Sequence, residues 1–284
     1  MTVRALVVGG TSGIGYGMAC RVAAEAASSA VIISGRTKPQ NMPHANMEFR
    51  PLDASSMRQI KQYTDAFKAE QGQKLDYLIM TQGIMTTGGR AETSEGIDRK
   101  MALHYYGKQL LIRELLPALK EDAKVIIVLD ARVGSPDKLI WEDLDLKTHF
   151  SLAKAADHCI SMTDAMVQFY ASQQQKQGTN KRHFVHAFPG GVNTGIYKEL
   201  PWYLRPAGRL LLAAAGVSPD TCAERLLKGA SECAVSGQVE GRFWSNIDSK
   251  GGLYTNKAIW SEEQKNKVAD HTWEIVDGAI GSGN

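Results

Sequence analysis

The stretch RALVVGGTSGIG, residues 4–15, places a run of apolar, β-forming residues directly before a glycine-rich turn. The segment that follows, IGYGMACRVAAEAAS (residues 14–28), has helical periodicity, so we expect strand, turn and helix in succession. Glycines at positions 9, 13 and 15 allow the backbone to turn tightly and to approach a phosphate closely. The start of the helix offers free N–H groups and a positive dipole end. The stretch therefore predicts a nucleotide site at the first strand-to-helix junction.

Short apolar runs bounded by glycine recur along the chain and alternate with helical stretches. The runs are AVIISGR (30–36), LDYLIMTQG (75–83), KVIIVLDAR (124–132), RHFVHAFPGG (182–191) and GRFWSN (241–246). Strands of this type fill a parallel sheet that is covered on both faces, and their crossovers are right-handed. We predict a single α/β domain over residues 1–284, with a Rossmann-like, doubly wound parallel sheet and helices on both faces.

The composition of the chain limits the kinds of molecule that it is expected to bind. The chain has 284 residues, a formal charge of only +3 and no run of basic residues, which argues against nucleic acid as a partner. The four cysteines stand far apart, so we expect reduced thiols in a cytoplasmic protein and no metal site. No apolar run is long enough to span a bilayer. Residues 195–218 are apolar and aromatic, interrupted by prolines, and are interpreted either as a substrate lid or as an ordinary packed helix pair.

Several motifs together resemble the short-chain dehydrogenase/reductase family, over residues 3–244. They are the G-x-x-x-G-x-G turn, RPLDASS (50–56), MTQG (80–83) and PGGVNT (189–194), while SEGIDRKMALHYYG (94–107) and WEDLDL (141–146) are similar to the branch related to retinol dehydrogenases. The resemblance implies that Asp53 contacts the adenine ring and that the 189–194 loop faces the nicotinamide. The cofactor-binding residues it implies are Gly9, Thr11, Ser12, Gly13, Ile14, Gly15, Arg36, Asp53, Gly83, Pro189, Gly190, Val192 and Thr194.

The end of the second predicted strand indicates which nicotinamide cofactor is used. An acidic residue there would bind the ribose 2′-hydroxyl and repel a 2′-phosphate. This chain has Gly35 at that position and Arg36 next to it. Because guanidinium is a natural partner of phosphate, we predict NADP(H).

Family members use a tyrosine as proton donor, a lysine one helical turn later, a serine and an asparagine. Here the asparagine position holds His104 and the serine position holds Ala131. For the tyrosine and lysine there are two registers: one places Phe150 and Lys154 at these positions, the other Ala156 and Ile160. The distance to Pro189 favours the second register. Neither provides a tyrosine, so the usual proton donor is absent.

Other groups near these positions could replace the missing acid. The candidate catalytic residues are Asp130, His104, His158 and Arg132, with Asp157 close by. A carboxylate at the apolar end of a strand can have a raised pKa, and a histidine titrates near neutrality. Arg132 can stabilise an anion or keep Asp130 ionised. The alternative for each is a structural role, and we interpret His183 and His186 as structural.

Three functions remain open at this stage. The first is an NADPH-dependent reductase of an activated, apolar small molecule such as an iminium, an enone or a carbonyl. The second is a non-redox cyclase or isomerase in which NADP(H) has a structural or electrostatic role. The third is a non-enzymatic NADP(H)-binding protein. By family analogy the chain would form homo-oligomers, and no membrane partner is expected.

Overall fold

In the computed structural model, a seven-stranded parallel sheet is the centre of the fold. The structure describes residues 2–25, 27–70, 74–178, 181–195, 203, 205 and 216–281. The strands are β1 (Arg4–Val8), β2 (Ala30–Gly35), β3 (Met47–Pro51), β4 (Leu75–Met80), β5 (Leu119–Val128), β6 (His183–Ala187) and β7 (Trp244–Ile247), in the order β3-β2-β1-β4-β5-β6-β7. The predicted Rossmann-like α/β fold is confirmed.

The helices cover both faces of the sheet. They are α1 (Gly13–Glu25), α2 (Met57–Ala69), α3 (Arg99–Met101), α4 (Gly107–Leu115), α5 (Leu152–Gln177), α6 (Pro219–Glu240) and α7 (Glu262–Gly281). A π-helical turn, Ala102–Tyr106, joins α3 to α4. One core cluster contains residues of α2, α4, α5 and α7, and the other contains residues of α1 and α6. Parallel strands covered in this way must be apolar on both faces, and β1 is buried from Ala5 to Val8.

The strand order places the site. Strand β1 pairs with β2 on one side and β4 on the other, so the winding direction of the chain reverses between β1 and β4. Crossovers on the two sides leave by opposite faces, and a crevice opens at the carboxyl ends of these strands. The glycine-rich turn lies at this edge.

Some local expectations differ from the structure. We did not predict β3, an edge strand in which Glu48 and Arg50 interrupt the apolar pattern and pair with each other at 2.7 Å. The helical run at 107–120 ends at Leu115, because Pro117 forces a short 3-10 turn before β5 begins. The predicted lid at 195–218 lies largely outside the described residues. None of the described helices combines the length and the apolarity needed to cross a membrane.

Candidate active site

The glycine-rich turn has the geometry that phosphate binding requires. Gly9 has φ +80°, a conformation that side chains rarely adopt. A Cβ at Gly15 would lie 2.5 Å from the carbonyl oxygen of Gly9 and 2.4 Å from Oγ1 of Thr81. Helix α1 begins at Gly13, so its first N–H groups point into the crevice beyond β1. The backbone at this turn can therefore approach a pyrophosphate with no side chain between them.

The end of β2 leaves little room for an acidic side chain. A Cβ at Gly35 would lie 2.8 Å from Oγ1 of Thr11, so the Thr11 side chain occupies the space where a carboxylate would begin. The exposed residues Arg36 and Arg99 line the same cleft. Among the described residues, neither guanidinium forms an ion pair. Arg99 was not predicted, because it lies far along the chain and only the start of α3 brings it beside Arg36.

Asp53 lines the same cleft as the two arginines. Its Oδ1 accepts hydrogen bonds from the backbone N–H and the hydroxyl of Ser55, at 3.0 and 2.6 Å. Partial burial alone would raise the pKa of Asp53, but the Ser55 hydrogen bonds and the charges of Arg36 and Arg99 lower it below its ordinary value. An ionised, fixed carboxylate at this place can accept a hydrogen bond from the amino group of an adenine.

The cleft has a volume of about 430 Å³. Of the predicted cofactor residues, those that line it are Gly9, Thr11, Ser12, Gly13, Ile14, Arg36, Asp53, Gly83 and Thr194. Gln82, which was not predicted, also lines it and is 8% exposed, and both polar atoms of its side-chain amide lack a hydrogen-bond partner among the described residues. A buried amide without partners costs free energy unless a ligand supplies them. The residues present therefore fit a nicotinamide dinucleotide.

The remaining predicted cofactor residues lie beside the cleft rather than on its wall. Gly15 is buried behind the turn, and Pro189, Gly190 and Val192 follow β6 at the same edge of the sheet. Gly190 has φ +71°, and a Cβ there would lie 2.8 Å from Cβ of Ser249. This tight packing fixes the loop after β6 against the loop after β7.

His104 contacts the backbone of the loop after β4 and holds it in place. Its Nε2 lies 2.9 Å from the carbonyl oxygen and 3.1 Å from the backbone nitrogen of Ile84. A Cβ at Gly83 would lie 2.8 Å from its ring, which explains the glycine. Burial lowers the pKa of His104 to about 4, and the charge of Lys108 acts in the same direction. The ring is therefore neutral near pH 7, which does not favour the predicted role as a proton carrier.

Asp130 and Arg132 form an ion pair just beyond β5. Arg132 donates from Nε and from an Nη to the two carboxylate oxygens, at 2.9 and 2.8 Å, and its guanidinium lies 3.9 Å from the ring centroid of Phe188. Partial burial would raise the pKa of Asp130, but the hydrogen bonds from Arg132 and the charges of Arg132 and His186 lower it. Asp130 is thus an anion near pH 7, contrary to the raised pKa that an acid would need.

The start of α5 shows where the residues of both registers for the missing tyrosine and lysine lie. Ser151 caps the helix, and its Oγ accepts the N–H of Lys154 at 3.1 Å. Phe150 therefore precedes the helix, whereas Lys154 lies exposed in its first turn. In the second register Ala156 is exposed and Ile160 is buried, and neither carries a polar group.

His158 is a structural residue in this arrangement. It is fully buried, its Nδ1 lies 3.0 Å from the carbonyl oxygen of Leu144, and its Nε2 accepts the N–H of Ile140 at 3.0 Å. Burial is the largest influence on its pKa, which is lowered. Because both ring nitrogens are occupied by the backbone of residues 140–144, the geometry gives no support to His158 as an acid. Asp157 pairs with Lys138 at 2.9 Å.

Lys108 on α4 is a buried amine that we did not predict. It is 0% exposed, and its Nζ donates to the carbonyl oxygen of Val128, the last residue of β5, at 3.0 Å. Burial lowers the pKa of Lys108 to about 7 and raises the pKa of the neighbouring Cys159 thiol to about 12. The interior beside α4 thus holds an amine whose pKa is lowered toward neutrality by burial.

A second unpredicted group lies under the loop that follows β5. Asp164 of α5 is 1% exposed and contacts three residues: His186 of β6, Asn246 of β7 and Lys257 of the segment after β7. We call these four residues the Asp164 cluster. Sequence reasoning missed it because its members are separated by up to 93 positions, and only the sheet brings them together.

Comparison with known proteins agrees with this fold. Residues 3–136 match the model of the short chain dehydrogenases. Oxidoreductase AN1596 of Emericella nidulans is 35% identical over 205 residues, covering 69% of this chain and 60% of that protein, so the chain spans about three fifths of that relative's length. Human polyprenol dehydrogenase is 29% identical over 283 residues, covering 91% of this chain and 83% of that protein.

A solved structure shows the same fold at low sequence identity. The NADPH-bound carbonyl reductase from chicken fatty liver has a TM-score of 0.61 and 18% identity, covering 89% of this chain and 99% of that one. Taken with the glycine-rich turn and the cleft, these findings define the class of the protein. The chain belongs to the short-chain dehydrogenase/reductase family.

Proposed function

We propose that the protein is an NADPH-dependent reductase of an activated, apolar small molecule that carries an iminium, an enone or a carbonyl group. The observation that carries the choice of cofactor is the end of β2. There Gly35, packed against Thr11, stands in place of an acidic residue, and two guanidinium groups without ion-pair partners among the described residues, Arg36 and Arg99, face the cleft. This arrangement suits a 2′-phosphate. The related carbonyl reductase was crystallised with NADPH, which supports the same choice.

In this proposal the residues of the chain bind and orient the two reactants. The turn at Gly9 and the start of α1 hold the pyrophosphate, Asp53 holds the adenine, and the side chain of Gln82 gains the partners it lacks. When bound, NADPH supplies the hydride. His104 is neutral and Asp130 is ionised near pH 7, so neither is a strong acid at the site. We therefore expect a substrate that accepts hydride readily.

Cofactor binding gives the first test. Titration with NADPH and NADH is measured for the wild type, Arg36→Asp and Arg99→Gln. We expect tighter binding of NADPH, and a weakening by roughly tenfold or more in Arg36→Asp that is specific to NADPH. Lys181→Asp is the matched control, because it makes the same charge change at an exposed site just before β6, at the opposite edge of the sheet. Equal binding of the two cofactors, or no effect of Arg36→Asp, refutes the cofactor assignment.

Turnover gives the second test. Phenanthrenequinone is a suitable probe, because it is apolar and its paired carbonyls accept hydride easily. We expect loss of NADPH absorbance in stoichiometric proportion to quinone reduction. A reaction whose rate is the same with NADP⁺ as with NADPH would instead indicate the non-redox alternative, in which the nicotinamide transfers no hydride.

A further inference from the structure

The Asp164 cluster is built like a proton-handling site. Oδ1 of Asp164 lies 2.6 Å from Nδ1 of His186 and 2.5 Å from Nδ2 of Asn246, and Oδ2 lies 2.7 Å from Nζ of Lys257. Burial would raise the pKa of Asp164, but the charges and hydrogen bonds of His186 and Lys257 lower it. The carboxylate is therefore ionised, and Nδ1–H of His186 donates to it.

The other nitrogen of His186 is left without a partner. The residue is 0% exposed, and its Nε2 has no hydrogen-bond partner among the described residues. A carboxylate at Nδ1 fixes the tautomer of an imidazole and stabilises the ring when Nε2 takes up a proton. His158 has both ring nitrogens paired, whereas His183, on the same strand as His186, also leaves one nitrogen, Nδ1, without a partner among the described residues, so it is the carboxylate at Nδ1 that sets His186 apart.

The cluster is joined to the loop that carries the serine position of the family. Asn246 donates to the carbonyl oxygen of Ala131 at 3.2 Å, and Lys257 donates to that of Gly134 at 3.2 Å. A Cβ at Gly134 would lie 2.1 Å from Oδ2 of Asp164, so the loop rests directly on the carboxylate. Ala131 contributes only a methyl group, and the charge of His186 reaches Asp130 in the same loop. His186 is thus connected, through Asp164 and Asn246, to the loop after β5 that carries Ala131.

We propose that the Asp164–His186 dyad is the proton source of the reductase, with His186 acting through a bridging water and Asp164 as its positioning residue. This inference rests on the proposed function. The hydride of NADPH forms the new C–H bond at the carbonyl carbon, and the π electrons of C=O move to the oxygen. The water gives a proton to that oxygen and receives one from Nε2–H of His186. The products are NADP⁺, the alcohol and a neutral imidazole, which solvent reprotonates.

The charged and titratable groups around His186 suit this role. Asp164 faces it from α5 and Asp130 from the loop after β5, while Lys257 neutralises Asp164 from the segment after β7. His183 on the same strand has a different environment, since its Nε2 pairs with Ser245. Burial, with the charges of Arg242 and Lys124, lowers the pKa of His183 to about 4.

The test compares His186→Asn with His183→Asn in the full chain. Asparagine can keep the hydrogen bond that Nδ1 makes to Asp164, but it has no group that titrates. With phenanthrenequinone and saturating NADPH we expect His186→Asn to lower kcat by roughly 100-fold or more, with an unchanged Kd for NADPH. The part of the pH dependence of kcat that comes from this ring should also disappear. His183→Asn should keep that pH dependence and most of the kcat.

A second readout does not depend on turnover. The histidine ring signals of the NADP(H)-bound protein are followed by NMR through a pH titration, and His186 is assigned from its loss in His186→Asn. We expect its ring to take up a proton in the course of the titration, and to do so less readily in Asp164→Asn, because an amide cannot stabilise the charged ring. The ring of His183 should stay neutral near neutral pH.

The outcomes separate the two proposals. Failure to bind NADPH, or to oxidise it with the quinone, counts against the proposed function, and the NMR titration then decides whether the dyad can hold and release a proton. An active wild type whose kcat and pH profile survive in His186→Asn overturns the inference alone. A His186 ring that keeps one protonation state throughout overturns it as well, whatever the turnover.

Discussion

Replacing Lys108 with methionine should stabilise the protein, and more so at neutral than at alkaline pH. The ammonium group has left water for a fully buried site and has one hydrogen bond, to the carbonyl oxygen of Val128. Methionine has a similar length and no charge, so it can fill the same space. The reason for the gain is the burial that lowers the pKa of Lys108 from 10.5 to about 7.

The sign and size of the effect follow from proton linkage. Between about pH 7 and 10.5 the unfolded chain holds a proton on this lysine that the folded chain does not, so the free energy of unfolding rises with pH there. Each unit of pKa difference corresponds to about 1.4 kcal/mol, which gives roughly 5 kcal/mol over the whole window. The lost hydrogen bond and imperfect packing offset about 1–3 kcal/mol of this. At pH 7 we therefore expect Lys108→Met to raise the free energy of unfolding by about 2–4 kcal/mol.

Urea unfolding at pH 7 and pH 10 measures the effect directly. The gain in Lys108→Met should shrink or change sign at pH 10, where the folded wild type carries the neutral amine. Lys74→Met is the control, because Lys74 is exposed and its loss should change the free energy by less than about 0.5 kcal/mol at both pH values. A difference between the wild type and Lys108→Met that is the same at pH 7 and pH 10 would show that the amine is not desolvated as described.

Three further changes have defined outcomes. Gly15→Ala should weaken NADPH binding by at least about tenfold in a fluorescence titration, because its methyl group would lie 2.5 Å from the carbonyl oxygen of Gly9 and must displace the turn. Lys257→Met should lower the free energy of unfolding by roughly 3–5 kcal/mol in urea at pH 7, since it leaves Asp164 as a buried, less compensated charge. His104→Asn should reduce the loss of stability in acid: in the wild type, burial lowers the pKa of His104 from 6.5 to about 4, so stability falls by roughly 3 kcal/mol as the pH drops through that window.

The fold and much of the cofactor cleft could be predicted because their signals are local. A glycine-rich turn between a strand and a helix is a property of about twelve consecutive residues, and the structure forms it at Gly9 and Gly13 as expected. The end of β2 gave a similarly local signal at Gly35 and Arg36. Arg99 and Gln82 were missed, since nothing in their own neighbourhoods shows that they line the cleft.

The catalytic residues could not be predicted in the same way. The candidates were chosen by analogy with family positions, but the environment decides their chemistry: Arg132 keeps Asp130 ionised, and two backbone groups occupy the ring of His158. The sequence alone also could not decide which residues near the start of α5 take the positions of the family's tyrosine and lysine, because this depends on the helix start at Ser151. Lys108 and Asp164 had no signal at all, since each acquires its properties from burial against distant elements.

The cofactor cleft and the catalytic positions are subject to different physical constraints. A pyrophosphate is bound by backbone N–H groups, so any change that disturbs the turn at Gly9 disturbs binding. A proton donor needs only a titratable group within reach of the substrate oxygen, and several elements meet at the carboxyl edge of the sheet: β5, β6, β7 and α5. The fold can therefore supply that proton from a strand as well as from a helix. In our proposal a histidine on β6, held by a carboxylate on α5, takes this role without a tyrosine on the helix, because the requirement concerns the position of a proton and not the element that presents it.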